Sequence, residues 1–123
     1  MGGYGDDGPQ GAYVGSIRAR GALRSRPISK RTVTADTQMV SQGGVLKGWC
    51  MRETTGSAGA VVELYDGTST GGQFLACIGL GNGVSQPFAF AQDGITVESS
   101  IFAHIVTGSV DIILYFQYDI GYE

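Results

Sequence analysis

The sequence predicts an all-β fold: an antiparallel β-sandwich, jelly-roll-like, of about eight strands, behind an extended N-terminal arm. Three observations lead there. Short runs rich in Val, Ile, Thr, Tyr and Phe recur along residues 32–118, each bounded by Gly, Ser, Asn or Asp at spacings that suit sandwiches and barrels. Twenty-one glycines stand against three prolines, and only 15% of the 123 residues are charged, a composition that favours many turns over long helices. No segment carries a helical stripe of apolar residues.

The first division falls between residues 1–31 and 32–123. The leading segment is glycine-rich, and its apolar residues are too scattered to bury enough surface to order themselves. It reads as an extended basic arm, and 32–123 as the sandwich domain. Residues 32–40 form a β-branched run closed by Ser41-Gln42-Gly43-Gly44. In residues 45–53, period-two alternation places Val45, Lys47, Trp49 and Met51 on one face, with Leu46 and Cys50 on the other. Residues 60–66 and 73–80 flank a Gly-rich loop and make a hairpin. Gly79-x-Gly81-x-Gly83 follows as a turn, then residues 87–90, the Asp93-Gly94 turn and residues 95–98. Residues 101–106 and 110–118 flank Thr107-Gly108-Ser109, which predicts a second hairpin.

The last of these runs is apolar on both faces after Asp111, the pattern of a central strand or one laid against another subunit. Tyrosine suits surfaces that are wet on one side, so Tyr115, Tyr118, Ile120 and Tyr122 are the expected oligomer contacts, in a homo-oligomer and most simply a homotrimer. A domain of this size buries a modest fraction of its surface, and association supplies more. The expected core contains Trp49, Leu64, Ile78, Phe102, Ile105 and Leu114.

Chemistry finds little footing. His104 is the only histidine, placed where a core or interface role is commoner than a general base. There is no Gly-x-Ser-x-Gly elbow and no Cys-x-x-Cys pair, so no catalytic residue, no metal and no cofactor is expected. Glu63, Asp66, Asp93 and Glu98 are acids that could converge, but nothing in their spacing singles them out. Cys50 and Cys77 sit in apolar surroundings and read as reduced, buried small hydrophobes. No long apolar run or export signal is evident, which predicts neither a membrane span nor secretion.

The charge pattern carries the functional expectation. Arg18, Arg20, Arg24, Arg26, Lys30 and Arg31 are six of the eight Lys and Arg residues, whereas the chain as a whole has net charge −3. Such a block can neutralise phosphates, but a basic patch alone is a weak nucleic-acid footprint, and the acidic remainder would be repelled by the same polyanion. Docking on another protein is therefore the expected use.

The segment 48–115, with Trp49, Arg52-Glu53-Thr54-Thr55-Gly56-Ser57-Ala58, Val62-Glu63-Leu64-Tyr65-Asp66-Gly67-Thr68-Ser69, Gly94-Ile95 and Val106-Thr107-Gly108-Ser109-Val110, resembles small β-sandwich virion structural proteins of tailed bacteriophages. The resemblance implies a non-enzymatic capsid decoration or cement protein, assembled in the host cytoplasm and carried in the virion, commonly as a trimer. Its partner would be the major capsid protein or another virion protein. Shells of this kind commonly present acidic outer surfaces, onto which a cationic arm would dock. A head or tail fibre, a connector component, or a receptor- or glycan-binding module using exposed rings such as Tyr65 or Phe88 are the alternatives. The resemblance defines no functional residues.

Overall fold

The computed structural model describes residues 25–91 and 93–119. They form nine strands: β1 (Arg26–Val33), β2 (Thr37–Val40), β3 (Gly44–Glu53), β4 (Ala60–Asp66), β5 (Gln73–Leu80), β6 (Ser85–Ala89), β7 (Ile95–Val97), β8 (Ile101–Thr107) and β9 (Val110–Tyr118). One sheet has the order β1-β9-β3-β6 with β7 also on β3; the other has the order β2-β8-β4-β5. All pairings are antiparallel. β6 lies along Gly48–Arg52 and β7 along Gly44–Leu46, so the two share one edge of β3. Counted as one interrupted strand, they leave eight positions in two four-stranded sheets, the arrangement of a jelly roll.

That topology corrects one expectation. Residues 60–66 and 73–80 do form a hairpin, β4 with β5. β8 and β9, however, belong to different sheets, so Thr107-Gly108-Ser109 is a crossing between layers and not a hairpin. Gly108 makes the crossing tight. It has φ +94°, and a Cβ there would meet Ala60 Cβ at 2.6 Å, so only glycine fits without displacing β4. The crossing is tied to the end of β3, where the Thr54 amide donates to the Ser109 carbonyl (3.0 Å) and the two side-chain hydroxyls share a bond of 2.5 Å.

The expected division at residue 32 also moves. β1 begins at Arg26 and pairs with β9 from Arg26–Phe116 to Val33–Val110, so residues 26–31 belong to the sandwich. The run 32–40 is broken at its middle. The chain leaves the first sheet after Val33, and Asp36 pins the corner by accepting from the Ile105 amide (2.9 Å) and pairing with His104 Nδ1 (2.9 Å). Burial raises the Asp36 pKa, but the His104 bond and the Ile105 amide outweigh it and hold the carboxyl below its ordinary range.

The core lies between the sheets and draws on inward positions of both: Leu46, Trp49, Met51, Leu64, Ile78, Ile101, Ile105, Ile112, Leu114 and Phe116 are all buried. Trp49 closes the β6 edge, with Phe88 stacked on it at 4.8 Å between ring centroids and Phe90 edge-on at 5.7 Å. Leu46 and Trp49 face the same way, against simple alternation, because the β3–β9 register slips between Leu46 and Gly48 and a bulge resets the face by one residue. Phe102 is a second correction. It is half-buried on the outer side with His104, while Ile101, Ala103 and Ile105 point in, since residues of opposite parity on a regular strand cannot share a face. β9 lies between β1 and β3, which accounts for its two apolar faces. The cysteines are free, but Cys50 is only half-buried and Cys77 is exposed, because both occupy outward positions.

Two carboxylates hold the opposite ends of the sandwich. At the end of β3, Glu53 is 2% exposed. Its Oε2 accepts from the Thr55 amide (2.9 Å) and hydroxyl (2.5 Å), and its Oε1 from the amides of Gly56 (2.7 Å) and Gly83 (2.8 Å). The Thr55 hydroxyl is the main cause, with the three amides, of a pKa lowered from an ordinary 4.5 to about 2 against the pull of burial. At the far end of β4, Asp66 accepts from the amides of Glu98 (2.7 Å), Ser99 (3.0 Å) and Ser100 (3.3 Å). Burial raises the Asp66 pKa, but those amides together bring it below its ordinary value. The Arg-Glu-Thr-Thr-Gly-Ser-Ala and Leu-Tyr-Asp-Gly-Thr-Ser motifs thus serve as loop clamps.

Candidate docking face

Charge is divided between the sheets. Among the described residues, every lysine and arginine lies on β1 or β3 of the first sheet: Arg26, Lys30, Arg31, Lys47 and Arg52. The strands of the second sheet carry none, and hold Glu63 and Asp66. Of the six cations expected in the arm, Arg26, Lys30 and Arg31 are exposed on the edge strand β1, while Arg18, Arg20 and Arg24 lie outside the described residues. The cluster is therefore in part an ordered strand.

A groove of about 330 Å³ crosses this sheet, with Ser29, Lys30 and Arg31 from β1, Asp111 to Ile113 from β9, Cys50 to Arg52 from β3, and Ser85 from β6. The β1–β9 register slips between Lys30 and Val33, and Thr32, within the slip, has φ +51°. A threonine in this region is strained. The distortion has a visible partner: the Thr32 amide donates to Asp111 Oδ1 at 2.8 Å. The other oxygen, Asp111 Oδ2, accepts from Arg52 Nη2 at 2.6 Å. The Thr32 amide, more than Arg52, holds the Asp111 carboxyl below its usual range. One acid thus fixes both the bulge of β1 and the guanidinium of β3.

The cations differ in what they have left to offer. Arg52 keeps donors free, since its side chain is 56% exposed and one nitrogen serves Asp111. The side chains of Lys30 and Arg31 make no hydrogen bond or ion pair with any described residue, although the charge of Arg31 helps to lower the pKa of Asp111. The rest of the groove is apolar or weakly polar, from Ile113 and Cys50. Arg31 and Arg52, on the outer face beside one committed carboxylate, make a surface that attracts anions.

The expected oligomer residues do not gather. Tyr115 is exposed on the outer face of β9, whereas Tyr118 is half-buried and packs edge-on against the core ring Phe116 at 5.2 Å; odd and even positions of one strand face opposite ways. Ile120 and Tyr122 lie outside the described residues. Of the rings considered for ligand stacking, Phe88 packs on Trp49. Tyr65 donates its hydroxyl to Glu63 (2.7 Å), a bond that with burial raises its pKa, and its ring meets exposed Phe74 at 5.4 Å. Among the described residues no group of His, Cys, Asp and Glu is arranged to hold a metal ion. The sequence-level reading missed Arg52 and Asp111, because the signal that joins them to β1 is a cross-strand register.

No family model matches the chain, and no curated protein or solved structure matches it either.

Proposed function

We propose that this protein is a non-enzymatic structural component of a bacteriophage virion, a capsid decoration or cement protein that attaches to the major capsid protein or a neighbouring virion protein. The observation that carries the reading is the one-sided charge: the described cations all lie on one sheet of a jelly roll, next in sequence to Arg18, Arg20 and Arg24. A cationic surface continued by a basic segment gains electrostatic steering onto an acidic protein surface, while the second sheet is left for other contacts, among them those of a homotrimer. The virion assignment itself rests on the resemblance of the clamp motifs to tailed-phage proteins.

The test is attachment to particles. Purified virions should carry the chain at a copy number that is a fixed multiple of the capsid symmetry, by quantitative gel. Removing residues 1–24 keeps every described strand, so the truncated body should fold; its occupancy on stripped particles should fall and what remains should depend less on salt, since the deleted cations are charges that salt screens over about 8 Å near physiological ionic strength. Virions that lack the chain, or steep salt-dependent binding to free DNA with no binding to emptied shells, would replace this reading.

A further inference from the structure

We infer that the groove between β1, β9 and β3 is a binding site for an acidic peptide segment, in which a glutamate or aspartate carboxylate sits between Arg31 and Arg52 and a neighbouring apolar side chain rests on Ile113. The inference deepens the attachment proposal and rests on that reading for its biological setting, but the binding itself is a property of the isolated protein.

Two independent features point to a ligand. The first is charge with capacity to spare: Arg31 is exposed at the site, its side chain drawn toward Asp111 but making no hydrogen bond or ion pair with a described residue, and Arg52 still has free donors in a fork suited to a carboxylate. The second is strain. Thr32 takes φ +51° inside a bulge, and bulges and strained backbone recur where a side chain must be re-aimed toward a ligand. Here the deviation is held by Asp111, which also orients Arg52. The site is thus organised before a ligand arrives, which lowers the cost of binding.

The occupant is a carboxylate-bearing peptide and not a nucleic acid. Asp111 lies in the groove itself and opposes a phosphate chain more strongly than a single carboxylate. Ile113 and Cys50 offer an apolar lining with no described aromatic ring among the groove residues on which a base could stack. A recess of about 330 Å³ suits one or two side chains more than a continuous backbone track.

Fluorescence anisotropy on the full-length protein tests the site, with a labelled peptide of alternating glutamate and leucine as probe. The same peptide with glutamine for glutamate, and a labelled oligothymidylate, are the comparators. The acidic peptide should bind and the glutamine peptide should not. The double variant Lys30→Glu/Arg31→Glu, at exposed positions whose side chains make no hydrogen bond or ion pair with a described residue, should lose about tenfold or more in affinity with little change in melting temperature, whereas Arg18→Gln/Arg20→Gln/Arg24→Gln should keep groove binding. Equal binding by the charge-reversed variant, loss of binding on changing the upstream arginines alone, or preference for oligothymidylate each overturns the site. Particle occupancy of the charge-reversed protein separates the two readings: peptide binding with no place in virions removes the virion proposal and leaves the groove, while virion attachment without peptide binding does the reverse.

Discussion

The outer face of the β1-β9-β3-β6 sheet presents Arg31, Arg52 and Asp111 around a groove, with Tyr115 further along β9, while the outer face of the β2-β8-β4-β5 sheet presents Phe74, Tyr65, Phe102, His104 and Glu63 and, among the described residues, no lysine or arginine. Inward positions of both are the same kind of residue, Val, Ile, Leu, Met and Phe. What distinguishes the sheets is confined to positions that packing leaves free. A sandwich needs only that one side of each sheet be apolar; the second side is available for recognition, and here the two second sides have diverged in charge.

Disturbing what the sheets share should have the largest effect. Trp49→Ala should cost about 3–5 kcal/mol, because it empties an enclosed ring site and removes the stacking partner of Phe88; chemical denaturation checks this, and an unchanged midpoint would take Trp49 out of the core. Glu53→Gln comes next. It turns an amide NH2 toward donors that now meet a carboxylate oxygen, and the melting temperature should fall on the order of 10 °C. Both sheets should loosen together, since the clamp joins the β3–β4 crossing to the loop bearing Gly83.

The same carboxylates set the response to acid. Glu53, lowered to about 2, and Asp36, Asp66 and Asp111, all lowered, bind protons less readily folded than unfolded. Their stabilisation is complete above the ordinary carboxylate pKa and is lost as pH falls through the folded values. Melting temperature should be flat from neutral pH down to about 5 and then decline steeply toward pH 2. In Glu53→Gln the decline should be shallower; an identical slope would mean that Glu53 does not drive the acid response.

Differences between the outer faces should be smaller in stability and larger in binding. Asp111→Asn should cost about 1 kcal/mol or less, as expected for a partly exposed pair, yet should weaken peptide binding by releasing Arg52, since the one amide oxygen of asparagine can still accept from Thr32 while its NH2 cannot accept from a guanidinium. Phe74→Ser, on the opposite sheet, should leave both particle occupancy and peptide affinity unchanged. If Phe74→Ser abolishes attachment while Lys30→Glu/Arg31→Glu does not, the roles of the two sheets are reversed.

How far each feature was legible in the sequence depends on the range of the interaction behind it. The positions of β3, β4, β5, β8 and β9, the 67–72 hairpin loop and the turn at Asp93-Gly94 follow from local alternation and turn chemistry, and they are where they were expected. Leu64, Ile78 and Leu114 are core residues on the same basis. The face of Leu46 was not legible, because one extra residue opposite β9 inverts the alternation and leaves no local mark. Phe102 was misplaced by its size, though its parity with His104 against Ile101 and Ile105 was already in the sequence.

The sequence by itself determined the all-β character, the short-strand pattern and the concentration of basic residues near the N-terminal end, for each is a property of neighbouring residues. Only the tertiary structure decided which sheet each strand joins, that Thr107-Gly108-Ser109 crosses between layers, that residues 26–31 are a paired strand, and that Arg52 and Asp111 complete a groove begun by Lys30 and Arg31. Those outcomes are set by backbone hydrogen bonds between segments far apart in the chain and by bulges in their register, and a residue's own neighbours carry no record of the strand it will meet.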